Sequence, residues 1–191
     1  SGRDINALQS FHVETLAVGP VIGIPCSPYG IAVDGTGRIW LGCWPSALAV
    51  RYNPADGSWL TVGLAAGASR GIAVDGTGYV WVATHDNWAN GYLVTFRADD
   101  GLDARWFDIR GVIPVGVGLD SRGRVWTVNQ SSNNTSRVDP VTGFEENFPP
   151  AGLPAPPYTY SDFTGFARRT ITAPSGSFTN QYELCPSSVA H

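Results

Sequence analysis

The sequence predicts an all-β protein, a β-propeller of four-stranded antiparallel blades, and three observations carry that prediction. One phrase recurs: Gly30-Ile31-Ala32-Val33-Asp34-Gly35-Thr36-Gly37-Arg38-Ile39-Trp40 returns as Gly71-Ile72-Ala73-Val74-Asp75-Gly76-Thr77-Gly78-Tyr79-Val80-Trp81. It returns more loosely as Gly116-Val117-Gly118-Leu119-Asp120-Ser121-Arg122-Gly123-Arg124-Val125-Trp126, and a degenerate fourth copy keeps Asp162-Phe163-Thr164-Gly165 without the Trp. Asp34, Asp75, Asp120 and Asp162 are thus 41, 45 and 42 residues apart, close to the roughly 40–45 residues of one propeller blade. The 191 residues also hold 23 Gly, 14 Pro and 12% aromatics but no Lys. No apolar stripe of helical period runs through them, so a helical solenoid is excluded.

Each copy reads as four strands. Strand a, residues 31–34 in the first copy, runs into an Asp-Gly-Thr-Gly turn, where Asp accepts backbone amides and Gly takes positive φ without steric cost. Strand b carries the Trp. Strand c is predicted at 48–52, 93–96 and 136–138, and strand d at 58–62, 105–109 and 145–148, each pair joined by a Gly-containing turn such as Asp139-Pro140-Val141-Thr142-Gly143. Residues before 29 supply strands c and d alone, with c inside 8–13; residues after 158 supply a and b. The chain therefore divides into strands c–d of a shared blade (5–26), three whole blades (27–67, 68–112, 113–150) and strands a–b of the shared blade (151–185). Closing one blade from both termini removes free sheet edges and makes residues 1–191 a single four-bladed propeller. A fragment of a larger propeller, and two chains paired into an eight-bladed ring, stay open as alternatives.

Twelve basic residues, all Arg, against 16 acidic ones give a net charge of -4, so there is no cationic surface for nucleic acid. No apolar run approaches the roughly 20 residues of a transmembrane helix. The start at Ser1 is expected for a processed or excised product.

At the repeated phrase and at Arg137-Val138-Asp139-Pro140-Val141-Thr142-Gly143, the sequence resembles the streptogramin (virginiamycin B) lyase family and the related NHL-type propellers, over about residues 28–165. Residues 158–185 look like the tail that ends such arrays in large exported bacterial proteins. The resemblance implies a propeller fold. For a catalytic member it also implies elimination from a cyclic depsipeptide, with a divalent metal such as Mg, a general-base His and Glu residues at the propeller mouth. In lyase-like blades Glu commonly follows the strand-b Trp by three positions; here those positions are Cys43, Thr84 and Asn129. His85 alone sits in a predicted mouth loop, with Asp86 as the candidate metal ligand. Elimination needs both a base and a means of stabilising developing charge. A non-catalytic exported bacterial member without a cofactor is therefore the first expectation. A metal-assisted lyase with His85 as base is the alternative.

Trp40, Trp81 and Trp126 occupy identical repeat positions and are expected to fill the space between blades, burying about 200 Å² each. Tyr29, Trp44, Trp88 and Tyr158 break the repeat and fall in b–c and d–a connections, which share one rim. With Arg70, His85, Asp86, Asn87, Asn129 and Gln130 they would form a polar, aromatic mouth suited to a protein or glycan ligand, or to further copies of the chain. Cys26 and Cys185 end strands of the shared blade, and a Cys26–Cys185 disulfide is expected to staple it. Cys43 is then left free, or pairs with Cys26 instead. A low-charge surface and a disulfide fit a secreted or cell-surface setting.

Overall fold

The computed structural model describes residues 6–12, 14–65, 67–86, 89–149 and 156–159. β1 (Ala7–Phe11) and β2 (Val18–Gly23) pair as a two-stranded antiparallel sheet. Blade 1 is β3 (Pro28–Val33), β4 (Ile39–Cys43), β5 (Leu48–Tyr52) and β6 (Trp59–Gly63). Blade 2 is β7 (Ala68–Val74), β8 (Tyr79–Asp86), β9 (Asn90–Arg97) and β10 (Arg105–Ile109). Blade 3 is β11 (Pro114–Leu119), β12 (Val125–Asn129), β13 (Asn134–Val138) and β14 (Glu145–Phe148). Within each blade every strand pairs antiparallel with the next one in the chain, so three meanders of the predicted kind make up a β-propeller. The expected completion of the β1–β2 sheet rests on 151–185, of which residues 151–155 and 160–185 lie outside the described residues.

Successive sheets stack face to face through apolar layers. Trp40, Val62 and Leu64 of blade 1 interlock with Ile72, Val82, Val94 and Phe96 of blade 2. Trp81, Ala83 and Leu93 pack with Val117, Val125 and Val138 of blade 3. All seven residues of β7 are buried, because blade 2 is covered on both faces.

The repeated phrase is explained atom by atom. Asp34 Oδ1 accepts from the Thr36 amide and hydroxyl and the Arg38 amide, while Oδ2 accepts from Arg38 Nε and from Trp40 Nε1 at 3.3 Å. Asp75 and Asp120 likewise take the indole N–H of Trp81 (2.8 Å) and Trp126 (3.1 Å). One carboxylate therefore closes the a–b turn and fixes the rotamer of the large wedge residue six positions on. The phrase's leading glycine has a separate cause. A Cβ on Gly71 would lie 2.6 Å from Gly116 Cα and from Val115 O, and one on Gly30 would lie 2.6 Å from Arg70 O. The innermost strands thus converge so tightly that no side chain fits between their backbones.

Two expectations are corrected here. Cys26 bonds to Cys43, with Cα atoms 5.7 Å apart, rather than to Cys185, which lies outside the described residues. Cys26 follows β2 and is buried with Leu8, Ile24, Leu41, Cys43 and Val50. The bridge therefore staples the β1–β2 sheet onto blade 1, and for a separation of 17 residues it contributes about 3 kcal/mol in the loop-entropy model. Second, His85 is a strand residue, not a loop residue. The β8–β9 ladder runs unbroken from Tyr79↔Arg97 to Asp86↔Asn90, three pairs longer than β4–β5 or β12–β13. Asp86 closes this longer hairpin by accepting from the Asn90 amide, the Asn90 side chain and the Tyr92 hydroxyl.

Candidate recognition site at the propeller mouth

In a four-stranded meander the b–c and d–a connections share one end, and the a–b and c–d turns share the other. On the first of these rims β3, β7 and β8 bring Tyr29, Arg70 and His85 together, and Tyr158 reaches them from the segment after blade 3. Arg70 Nε donates to His85 Nε2 at 3.3 Å, and Arg70 Nη1 donates to the Tyr29 hydroxyl at 3.4 Å. The guanidinium also lies 5.3 Å from the centre of the Tyr29 ring, within cation–π range. The Tyr29 hydroxyl in turn bonds the Tyr158 hydroxyl. The result is a polar relay that links buried His85 to Tyr158, which is 42% exposed.

Burial first, and then the charge of Arg70, lower the His85 pKa to about 4; Asp86 opposes this only in part. The imidazole is therefore neutral at pH 7 and uses its Nε2 lone pair to accept from Arg70, with its proton on Nδ1. Bonds from Asn90, and then from Tyr92, hold the Asp86 carboxylate below its ordinary pKa.

The remaining expected mouth residues divide. Trp44 lies half-buried in the β4–β5 turn, its amide bonded to Ser27 O. That turn touches the start of β7 through the Ser69 amide and Ser46 O, beside Arg70. Asn129 ends β12 at the b–c end of blade 3 but is fully buried there: its amide nitrogen donates to Asn134 Oδ1 and Ser136 Oγ, and its side chain fills the space beside Gly111. Gln130 is half-buried, with its amide donating to Ile113 O. Asn87 and Trp88 lie outside the described residues.

The donor set does not fit the divalent metal that a lyase would need. Of the three positions that follow the wedge tryptophans, Cys43 is in a disulfide, Thr84 is buried in β8 and Asn129 is buried in blade 3. His85 faces the Arg70 cation, and Asp86 is committed to Asn90 and Tyr92. Among the described residues, no group of three or more His, Cys, Asp or Glu converges.

Sequence reasoning missed the Arg70–His85 and Tyr29–Tyr158 contacts, which depend on neighbouring elements with no local signature. It also missed the Asp-to-Trp bond, although a spacing of six in all three intact copies was there to be read.

These blades define a β-propeller whose fold is similar to that of the streptogramin B lyases. Virginiamycin B lyase from Staphylococcus aureus matches with a TM-score of 0.66 at 19% identity, over 80% of this chain and 51% of that one. A streptogramin B lyase matches with a TM-score of 0.66 at 17% identity, over 78% and 49% respectively. A chain of a nidogen/laminin complex matches with a TM-score of 0.53 at 14% identity, over 75% and 72%. The likeness is one of fold, and this chain spans about half the length of the two lyases. No protein-family model and no curated protein matches the sequence.

Proposed function

We propose that this propeller is a secreted or surface-displayed recognition module that binds a glycan or peptide rich in hydroxyl and amide groups at its mouth. The observation that carries this reading is the relay His85–Arg70–Tyr29–Tyr158. Side chains from two blades and from the following segment are pre-positioned by one another, and Tyr158 is partly exposed. Held groups of this kind bind at low entropic cost, and a half-exposed ring stacks on the apolar face of a sugar or on a peptide plane. A neighbour of the same fold comes from a nidogen/laminin complex, in keeping with a propeller that engages another protein. The disulfide favours an oxidising compartment, and no helix among the described residues is long and apolar enough to cross a membrane. Cys43, Thr84 and Asn129, which follow the wedge tryptophans, give the lyase alternative no carboxylate at those positions.

A glycan and peptide array probed with wild type, Tyr158→Ala and Tyr29→Phe tests the reading. Wild type is expected to bind a restricted set of ligands, and each variant to bind them at least about fivefold more weakly, the lower end of what a lost buried hydrogen bond costs. Equal binding by all three proteins, or no binding by any, would refute it.

A further inference from the structure

The opposite rim carries a second feature, which becomes visible when the three intact repeat copies are compared with one another. The amides of Gly57, Gly101 and Gly143 bond back to the carbonyls of Asn53, Arg97 and Asp139, which aligns the three c–d turns and puts Val141 at the place of Asp99. The register likewise aligns Arg51, Thr95 and Arg137, which face Trp40, Trp81 and Trp126 across the b–c ladder.

Between blades 1 and 2, two arginines of blade 1 make a latch. Arg38 Nε donates to Asp34 Oδ2, and its Nη2 donates to Asp99 of blade 2 at 2.8 Å. Arg51 lies over the Trp40 ring, and its Nη1 donates to the Ala98 and Asp99 carbonyls at 2.7 Å each. Blade 3 keeps the same pair: Arg124 Nε donates to Asp120 Oδ2, and Arg137 lies 5.1 Å from the Trp126 ring.

Blade 2 has neither arginine. Tyr79 stands where the others have Arg38 and Arg124, and Thr95 stands where they have Arg51 and Arg137. Thr95 Oγ1 is buried and, among the described residues, has no hydrogen-bond partner. Asp75 keeps its turn bonds and its bond to Trp81 but, among the described residues, forms no ion pair. The Asp75 carboxylate and the turn at Pro140 and Val141, whose counterparts Asp34 and the Ala98–Asp99 turn are covered by arginine between blades 1 and 2, instead line one groove of about 610 Å³ between blades 2 and 3, with buried Trp81 in its wall. Val141 at its edge is 92% exposed.

We propose that this groove binds the side chain of a single arginine from a partner polypeptide. The incoming guanidinium takes the place of the two missing latch arginines: it donates to Asp75 Oδ2 and to the carbonyls of Pro140 and Val141. A carboxylate and two carbonyls within one groove match the planar, forked donors of arginine better than the single point charge of lysine. Arg105 and Arg122 flank the groove, so the residues beside the incoming arginine are neutral or acidic and a polybasic segment is disfavoured. This site is independent of the mouth and stands whether or not the mouth binds a ligand.

The test is a titration of the 15N-labelled 191-residue chain with acetyl-Gly-Arg-Glu-Gly-amide, its citrulline counterpart and acetyl-tetra-arginine amide. Saturable shifts are expected for the first peptide at Asp75, Thr77, Val141 and the Trp81 indole N–H. Binding of the other two is expected to be at least about tenfold weaker, because citrulline loses the charge-assisted bonds and tetra-arginine meets Arg105 and Arg122. Tyr79→Arg, which restores the residue type of the other two copies, is expected to keep the thermal midpoint and abolish these shifts. Val141→Asp, a change at an exposed turn position that restores the charge of Asp99, is expected to tighten binding and covers the case in which Tyr79→Arg fails to fold. Absence of saturable shifts, shifts confined to other residues, equal binding of the citrulline peptide, or Val141→Asp binding no tighter than wild type would each overturn the proposal.

Discussion

At Asp34 the physics of the repeat is concentrated in one carboxylate. Burial pushes its pKa up, but bonds from Thr36 and Arg38 outweigh that effect and hold it below the ordinary carboxylate value. Asp120 behaves in the same way, with burial opposed by Trp126, Arg124 and Arg122. These groups stabilise the fold above their unfolded pKa of 3.8 and lose that contribution only in stronger acid. His85 acts in a different window. Its folded pKa of about 4 lies below the 6.5 of the unfolded chain, so the unfolded state takes the proton first. Its contribution is complete above about pH 6.5 and declines as pH falls towards 4, by up to about 3 kcal/mol. Urea unfolding between pH 7.5 and 4.5 is therefore expected to show a loss in wild type that is largely missing in His85→Asn. An unchanged slope in the variant, or an imidazole titrating near 6.5 by NMR, would contradict the burial and Arg70 contact assigned to His85.

The strands were largely legible because each repeat writes its own punctuation. Predicted segments 48–52, 105–109 and 145–148 coincide with β5, β10 and β14, each bounded by a Gly-containing turn. The β8–β9 hairpin was read too short because Asp86, Asn90 and Tyr92 stabilise its end through side-chain bonds that no alternation pattern announces. Asn129 was placed at the mouth by its repeat position, yet the space beside Gly111 draws it inward. The glycine opening each phrase marks a close approach between innermost strands, which no local pattern announces. Gly71→Ala is accordingly expected to cost about 1–3 kcal/mol or more, since both obstructing atoms are backbone. Gly63→Ala, with nothing within 4 Å of its added carbon, is expected to be neutral or stabilising. Chemical denaturation of the two variants checks this, and equal midpoints would contradict the packing described for β3, β7 and β11.

Across the whole molecule, successive blades bury their faces against one another, and the β1–β2 sheet packs on blade 1. Its inner side, with Leu8 and Ile24, is anchored to blade 1 by the Cys26–Cys43 bridge. Phe11, Leu16, Val18 and Val21 remain exposed, an apolar concentration on a chain of low charge that favours contact with another sheet. Light scattering across a concentration series is expected to show mass rising above that of one chain, and Val21→Glu is expected to suppress the rise. A constant 20.3 kDa at all concentrations for both proteins would remove self-association from the picture. The division of labour between the two rims is tested most directly by amide and side-chain shift mapping of the labelled chain with the strongest array ligand. Perturbations are expected at Tyr29, Arg70, His85, Tyr158 and the turn after Cys43. Perturbations confined to the a–b turns at Asp34, Asp75 and Asp120 would show that the mouth is not the recognition face.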